Sequence, residues 1–195
     1  MRQLLSSLLI LSALLGAPSA HARDWFVRAG ASGGDGSRAQ PFADPWMALE
    51  QVEANDKVHV ATGTYFGRLE KGNWEIPFPG VEMLGGYDAH FQERNPWKNI
   101  TALTWRKGAA NRPDIALARL STSTKRDTAG AVIDGFFIDM QDTYEYGPNG
   151  FNPIALQRNG AVDLAPSGVL RNCMIVNAIN AVRTSPGAVV ENNII

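Results

Sequence analysis

The chain has 195 residues, 45% of them hydrophobic, with 19 glycines, 11 prolines and one cysteine. That composition suits a turn-rich globular fold and argues against a disordered or membrane-embedded chain. A formal charge of −1 leaves no polybasic surface for nucleic acid or anionic lipid, and a lone Cys173 excludes an intramolecular disulfide framework and any cysteine-built metal cluster.

Residues 1–22 read as a targeting segment. Arg2 gives a positive start, an apolar run follows from Leu4 to Leu15, and Ala20-His21-Ala22 offers small residues at the two positions a signal peptidase reads. The run is too short to span a bilayer. No cysteine follows it, so a lipid anchor is excluded. The mature protein is expected to start near Arg23, outside the cytoplasm (periplasm, cell surface or medium), with no membrane insertion after the signal is removed.

Next in chain order, "DWFV" at 24–27 alternates as a first strand, and "GGDGS" at 33–37 is a turn cluster. A helix is predicted over 44–55, with Asp44 as N-cap, Pro45 at the first helical position and Trp46, Leu49 and Val52 on one face. "KVHVATGTY" supplies a strand that turns at Gly63, "GVEMLGGYD" another with a Gly-Gly turn, and "NITALTW" another. An amphipathic helix before such strands can cover an open sheet end, which otherwise exposes unpaired backbone.

The series "WFVRAGASGGDGS", "PFADPWMALEQVEANDKVHVATGTY", "GVEMLGGYDAHFQERNP" and "TALTW" resembles the N-terminal capping region and first coils of bacterial secreted right-handed parallel β-helix proteins, the pectate-lyase-like superfamily. The resemblance runs from about residue 24 to 195. It implies an all-β solenoid with a short N-terminal capping helix: cap and first strands over 23–128, coils over 129–195. It is specific for fold and weak for activity, because the same cap precedes enzymes, adhesins and proteins without known chemistry.

The end of the chain repeats itself. "PSGVLRNCMI" at 166–175 lies over "PGAVVENNII" at 186–195 with an offset of twenty, matching Val169 to Val189, Asn172 to Asn192 and Ile175 to Ile195. A fixed period of that length in β-branched and small residues marks a stacked coil of strands. "AGAVIDGFFIDM" at 129–140 fits the same template at an offset of 37, with Val132 over Val169 and Ile138 over Ile175. The surplus places an insertion loop at about 139–152. "PIALQ" is expected as the second strand of that coil, matching "NAVRT" in the next. Ile195 falls mid-repeat, so the expectation is the N-terminal part of a longer chain; a short protein capped by dimerisation is the alternative.

Asn172, Asn192 and Asn193 sit at the turns, where amides stacked from coil to coil satisfy one another. Cys173 aligns with Asn193 and reads as a buried thiol. His59 and His90 form no metal spacing, and Tyr87-Asp88 reads as a turn lock.

Carboxylates come together only near the insertion. Asp139, Asp142 and Glu145 lie there with Tyr144, Tyr146 and Phe151, and Asp134 precedes them on a strand. Carboxylates beside aromatics can grip a sugar ring or a calcium ion. Asp139, Asp142, Tyr144, Glu145 and Tyr146 are therefore the candidate substrate-binding residues, calcium the candidate ion and polysaccharide the candidate partner. No other metal site and no catalytic residue is assigned. In the resembled family, lyases use calcium and a base, and hydrolases use paired aspartates, usually several coils further on. Two alternatives follow: a polysaccharide lyase or hydrolase whose catalytic residues lie beyond residue 195, and a surface adhesin or structural rod. Residues 1–195 alone are expected to lack turnover, since Arg171, the nearest base, has nothing in its repeat context to mark it.

Overall fold

A computed structural model of the chain describes residues 22–70, 72–106, 120–122, 128–141, 160–178 and 180–195. The described residues are mostly β. Their strands are β1 (Asp24–Val27), β2 (Lys57–Ala61), β3 (Gly63–Tyr65), β4 (Trp74–Ile76), β5 (Glu82–Tyr87), β6 (Thr101–Leu103), β7 (Leu120–Thr122), β8 (Val132–Asp134), β9 (Phe137–Asp139), β10 (Gly160–Leu164), β11 (Val169–Arg171), β12 (Met174–Val176), β13 (Asn180–Thr184) and β14 (Val189–Glu191). One short helix, α1 (Pro45–Leu49), interrupts them. No helix among the described residues is long and apolar enough to cross a membrane.

Three sheets hold these strands, in the orders β1-β2-β5-β8-β11-β14, β3-β6-β9-β12 and β4-β7-β10-β13. Every strand pairing in them is parallel. From β2 onward the chain visits the first, second and third sheet in turn and repeats that cycle to β14. The registers then line up side chains of one kind. Trp25, Val58, Met83, Ile133, Leu170 and Val190 form one continuous row, and Tyr65, Leu103, Ile138 and Ile175 form another. All but Val190 are buried. Each such side chain removed from water contributes about 1.5–3 kcal/mol, so these two rows are the main cohesive element of the core.

The offsets in the sheet are those of the sequence. Val169 pairs with Val189 and Arg171 with Glu191, while Val132 pairs with Val169. The expected single strands 132–138 and 169–175 are each two strands, split between the first and second sheets. Left-handed backbone at the corner causes the split: φ is +86° at Gly135, 54° at Asn172 and 51° at Asn192. Asparagine is one of the few side-chain-bearing residues that adopt this region readily.

"PIALQ" lies outside the described residues, and the strand paired with "NAVRT" is instead β10, with Gly160 opposite Asn180. The twenty-residue offset therefore begins one strand earlier than expected. Strands β4 and β7 were not anticipated either.

Helix α1 starts as predicted but stops at Leu49, well short of 55. The Asp44 side chain accepts from the Trp46 amide and Pro45 follows it, a standard helix start. Beyond Leu49, Gln51 N bonds to Ala48 O, and the Asp56 carboxylate takes the Glu53 amide at 2.9 Å. That donor is diverted from continuing the helix. The helix packs on β1, β2 and β4, so it covers the sheet ends where β1 and β4 are the outermost strands.

Candidate functional site

Of the predicted binding residues, Asp139 is among the described ones. Asp142, Tyr144, Glu145 and Tyr146 lie outside the described residues, as does Phe151. Asp139 ends β9, and its Oδ1 accepts from the Gln141 amide and from Asn177 Nδ2, both at 2.8 Å. Among the described residues no group of three or more His, Cys, Asp or Glu side chains is arranged to hold a metal.

The three asparagines do different work. Asn192 Nδ2 donates to Asn172 Oδ1, and Asn172 Nδ2 donates to Asp134 Oδ1 at 2.9 Å, so these two amides form a ladder ending on a carboxylate. Asn193 turns inward instead, accepting from Cys173 N at 2.8 Å and donating to Leu170 O at 3.0 Å. Cys173 is fully buried, and burial pushes its thiol up to about 12. It accepts from Phe136 N and donates to Arg171 O, which makes it a packed corner residue and not a nucleophile.

Asp134 is a buried carboxylate held by three side chains. It is 2% exposed and accepts from Arg94 Nη2 at 2.5 Å, from Arg171 Nε at 2.8 Å and from Asn172. Burial alone would raise its carboxyl. The hydrogen bonds from Asn172, Arg94 and Arg171 outweigh it and hold the group below the usual carboxylate range. Arg171, expected to be unremarkable, is one arm of this clamp. Arg94 comes from the turn after β5, forty residues away in sequence, with no periodic signal to connect them.

A second polar chain runs beside it. His59 Nε2 lies 2.7 Å from Asp24 Oδ1, and His59 Nδ1 lies 2.9 Å from the Tyr87 hydroxyl. A carboxylate accepts only, so Nε2 carries a proton and donates to Asp24, while Nδ1 shares a hydrogen bond with the Tyr87 hydroxyl. Burial raises the Tyr87 phenol and keeps it a donor. Phe26 stacks on His59 at 4.9 Å, and Phe91 meets Phe26 edge-on at 5.1 Å. His59 is thus fixed on both nitrogens and one face. Tyr87 bridges Arg94 across the turn and Asp88 accepts from the amides of His90, Gln92 and Glu93, so both residues lock the turn, and Tyr87 is in addition a link in the polar chain.

Beside α1 lies an open groove of about 710 Å³, with Trp46, Trp74 and Phe78 on its apolar side and Glu50, Glu75 and Arg68 at its edge. Trp74 is locked there because its Nε1 donates to Asp44 Oδ1 at 2.8 Å. Asp44 also takes the Phe66 and Gly67 amides on Oδ2, so one half-buried carboxylate ties the helix start to the following turn and to β4. Sequence reasoning placed Trp46 on the core. It is half-buried, with the Arg68 guanidinium 5.5 Å from its ring. No family model matches this chain, and no curated protein or solved structure matches it either.

Proposed function

We propose that this is an exported right-handed parallel β-helix protein, of the pectate-lyase-like kind, that contacts carbohydrate. The single observation that carries the fold reading is the cyclic visit to three parallel sheets in constant order, with α1 over one end. A chain that coils in this way presents long outer faces of short strands, and insertions at its corners become surface loops. The sequence offset puts the expected insertion at about 139–152, where Asp142, Glu145, Tyr144 and Tyr146 combine the carboxylates and aromatic faces that sugars and calcium require. The groove beside α1 repeats that chemistry, with indole and phenyl faces next to carboxylates.

Binding without turnover is the expected behaviour of residues 1–195. Arg94 and Arg171 are both paired with Asp134, so neither is placed to take a proton from a sugar. The test is titration of the purified protein with pectate, alginate and neutral glycans, with and without calcium. Saturable binding that weakens about tenfold in a Tyr144→Ala/Tyr146→Ala variant is expected, with no new reducing or unsaturated ends. Binding to no glycan in either condition would overturn the carbohydrate reading. Product formation abolished by Asp142→Ala would show an enzyme.

A further inference from the structure

The backbone at Arg23 meets a buried carboxylate that is larger in capacity than a peptide amide needs. Arg23 N donates to Asp56 Oδ1 at 2.7 Å, and Trp25 Nε1 and Glu53 N both donate to Oδ2 at 2.9 Å. Asp56 is 3% exposed. On the other side of the same residue, Lys57 N donates to Arg23 O at 2.9 Å, so Arg23 is clamped at the entry to the β1–β2 pairing. Its guanidinium lies 3.8 Å over the Trp25 ring and acts on Asp56 through space, without a hydrogen bond. All three hydrogen-bond donors to Asp56 are neutral, and a positive charge within hydrogen-bond reach would strengthen the contact.

We propose that Asp56 is the acceptor for a mature N-terminus at Arg23, created when a signal peptidase hydrolyses the Ala22–Arg23 peptide bond. Water supplies the hydroxyl that leaves a carboxylate on Ala22 and the proton that leaves an amine on Arg23. At neutral pH the amine takes up a further proton and becomes an ammonium. The nitrogen is already 2.7 Å from Oδ1, so the neutral N–H···O bond becomes a charge-assisted ion pair without movement of β1. Processing thereby stabilises the covered end of the fold, and the precursor lacks that contribution. The inference rests on the export reading above.

The charged groups around the pair are few. On its own segment is the Arg23 guanidinium. On β1, Asp24 turns to His59; on β2, Lys57 pairs with Glu82 at 3.3 Å; and from the turn after α1, Glu53 faces the pair with its backbone amide. An α-amine titrates near about 8 when unpaired and higher when paired. The contribution is therefore complete below about pH 8 and is lost as pH rises through the raised value. Asp56 itself is held below the usual carboxylate range, because the donors from Glu53, Arg23 and Trp25 outweigh its burial, so the acid limit lies below about pH 4.

The experiment expresses the full precursor, reads the N-terminus of the exported protein by mass spectrometry, and compares its melting with that of the same protein carrying Gly-Ser-Ala ahead of Arg23. The expected result is a start at Arg23 and a melting temperature about 3 °C higher than that of the extended protein at neutral pH. The two should converge above about pH 10. Asp56→Asn should remove the difference between the two forms. A start at Arg23 with equal melting at every pH overturns the ion pair and leaves export standing. A start elsewhere, or no export, overturns both. The extended protein keeps every side chain, so the comparison does not depend on the Asp56→Asn variant folding.

Discussion

Single carboxylates at three places set much of the local structure, and their titrations run in different directions. Asp134 is held below the usual range, so its contribution is present above about pH 4 and is lost as pH falls through its lowered value. Replacing it by asparagine leaves Arg94 and Arg171 facing each other across a short gap. Removing one partner of a fully buried pair costs about 3–5 kcal/mol, but both guanidinium groups here keep part of their hydration. The expected loss for Asp134→Asn is about 2 kcal/mol at neutral pH. Urea unfolding of the two proteins at several pH values should show that gap closing in acid. Asp44 runs the other way. Burial raises its carboxyl despite four donors, so ionisation there works against the fold as pH rises through the raised value. Asp56 resembles Asp134 in direction but draws on backbone and indole donors in place of side-chain cations.

Short elements joined by tight corners make the backbone of those corners decisive. At Gly135, between β8 and β9, φ is +86° and an added Cβ would lie 2.8 Å from Gly85 O and 2.9 Å from Arg94 Nη2. At Gly130, before β8, φ is +72° and a Cβ would meet nothing within 4 Å. Gly130→Ala should therefore cost only the conformational strain, about 1 kcal/mol. Gly135→Ala adds a collision with a backbone carbonyl and displaces one arm of the Asp134 clamp, for a total of about 3 kcal/mol. Thermal melts of the two variants should separate by several degrees, with Gly135→Ala the lower. Equal losses would mean that the corner relaxes freely. Asn172 and Asn192 occupy the following corners with the same sign of φ and use their amides to tie one corner to the next.

At the scale of the whole molecule the two ends of the sheets are unlike. One carries α1. At the other, Val189, Val190, Ile194 and Ile195 are 42–70% exposed, and β14 offers one backbone edge without a strand beside it among the described residues. An apolar, parallel edge of this kind is a template for pairing with another chain. Purified residues 23–195 should associate as concentration rises, read by light scattering after size exclusion. Val190→Lys with Ile194→Lys should shift that association to at least tenfold higher concentration. A protein that stays monomeric with or without the lysines would show that the edge is protected by something other than charge.

The features legible in the sequence were those set by near-neighbour periodicity. The offset of twenty between Val169 and Val189, and of 37 between Val132 and Val169, is a pairing register written in β-branched residues, because side chains in stacked parallel strands face the same environment at each step. The start of α1 was legible because an N-cap followed by proline is a local signal, while its end was not, because Asp56 stops it from outside the helix. Offsets between earlier strands vary: Val58 pairs with Met83 and Met83 with Ile133, steps of twenty-five and fifty that hide the repeat. Arg171 is the register partner of Asp134, but the Asp24–His59–Tyr87 chain and the Arg94 arm of the clamp on Asp134 were beyond sequence reasoning for the same reason. Their members meet only after irregular connections have closed, and a hydrogen bond between residues forty apart leaves no periodic trace. Sequence alone thus determined the register in which β8, β11 and β14 stack. Tertiary structure alone decided which charges those stacked strands would bury, because burial depends on loops whose lengths follow no period.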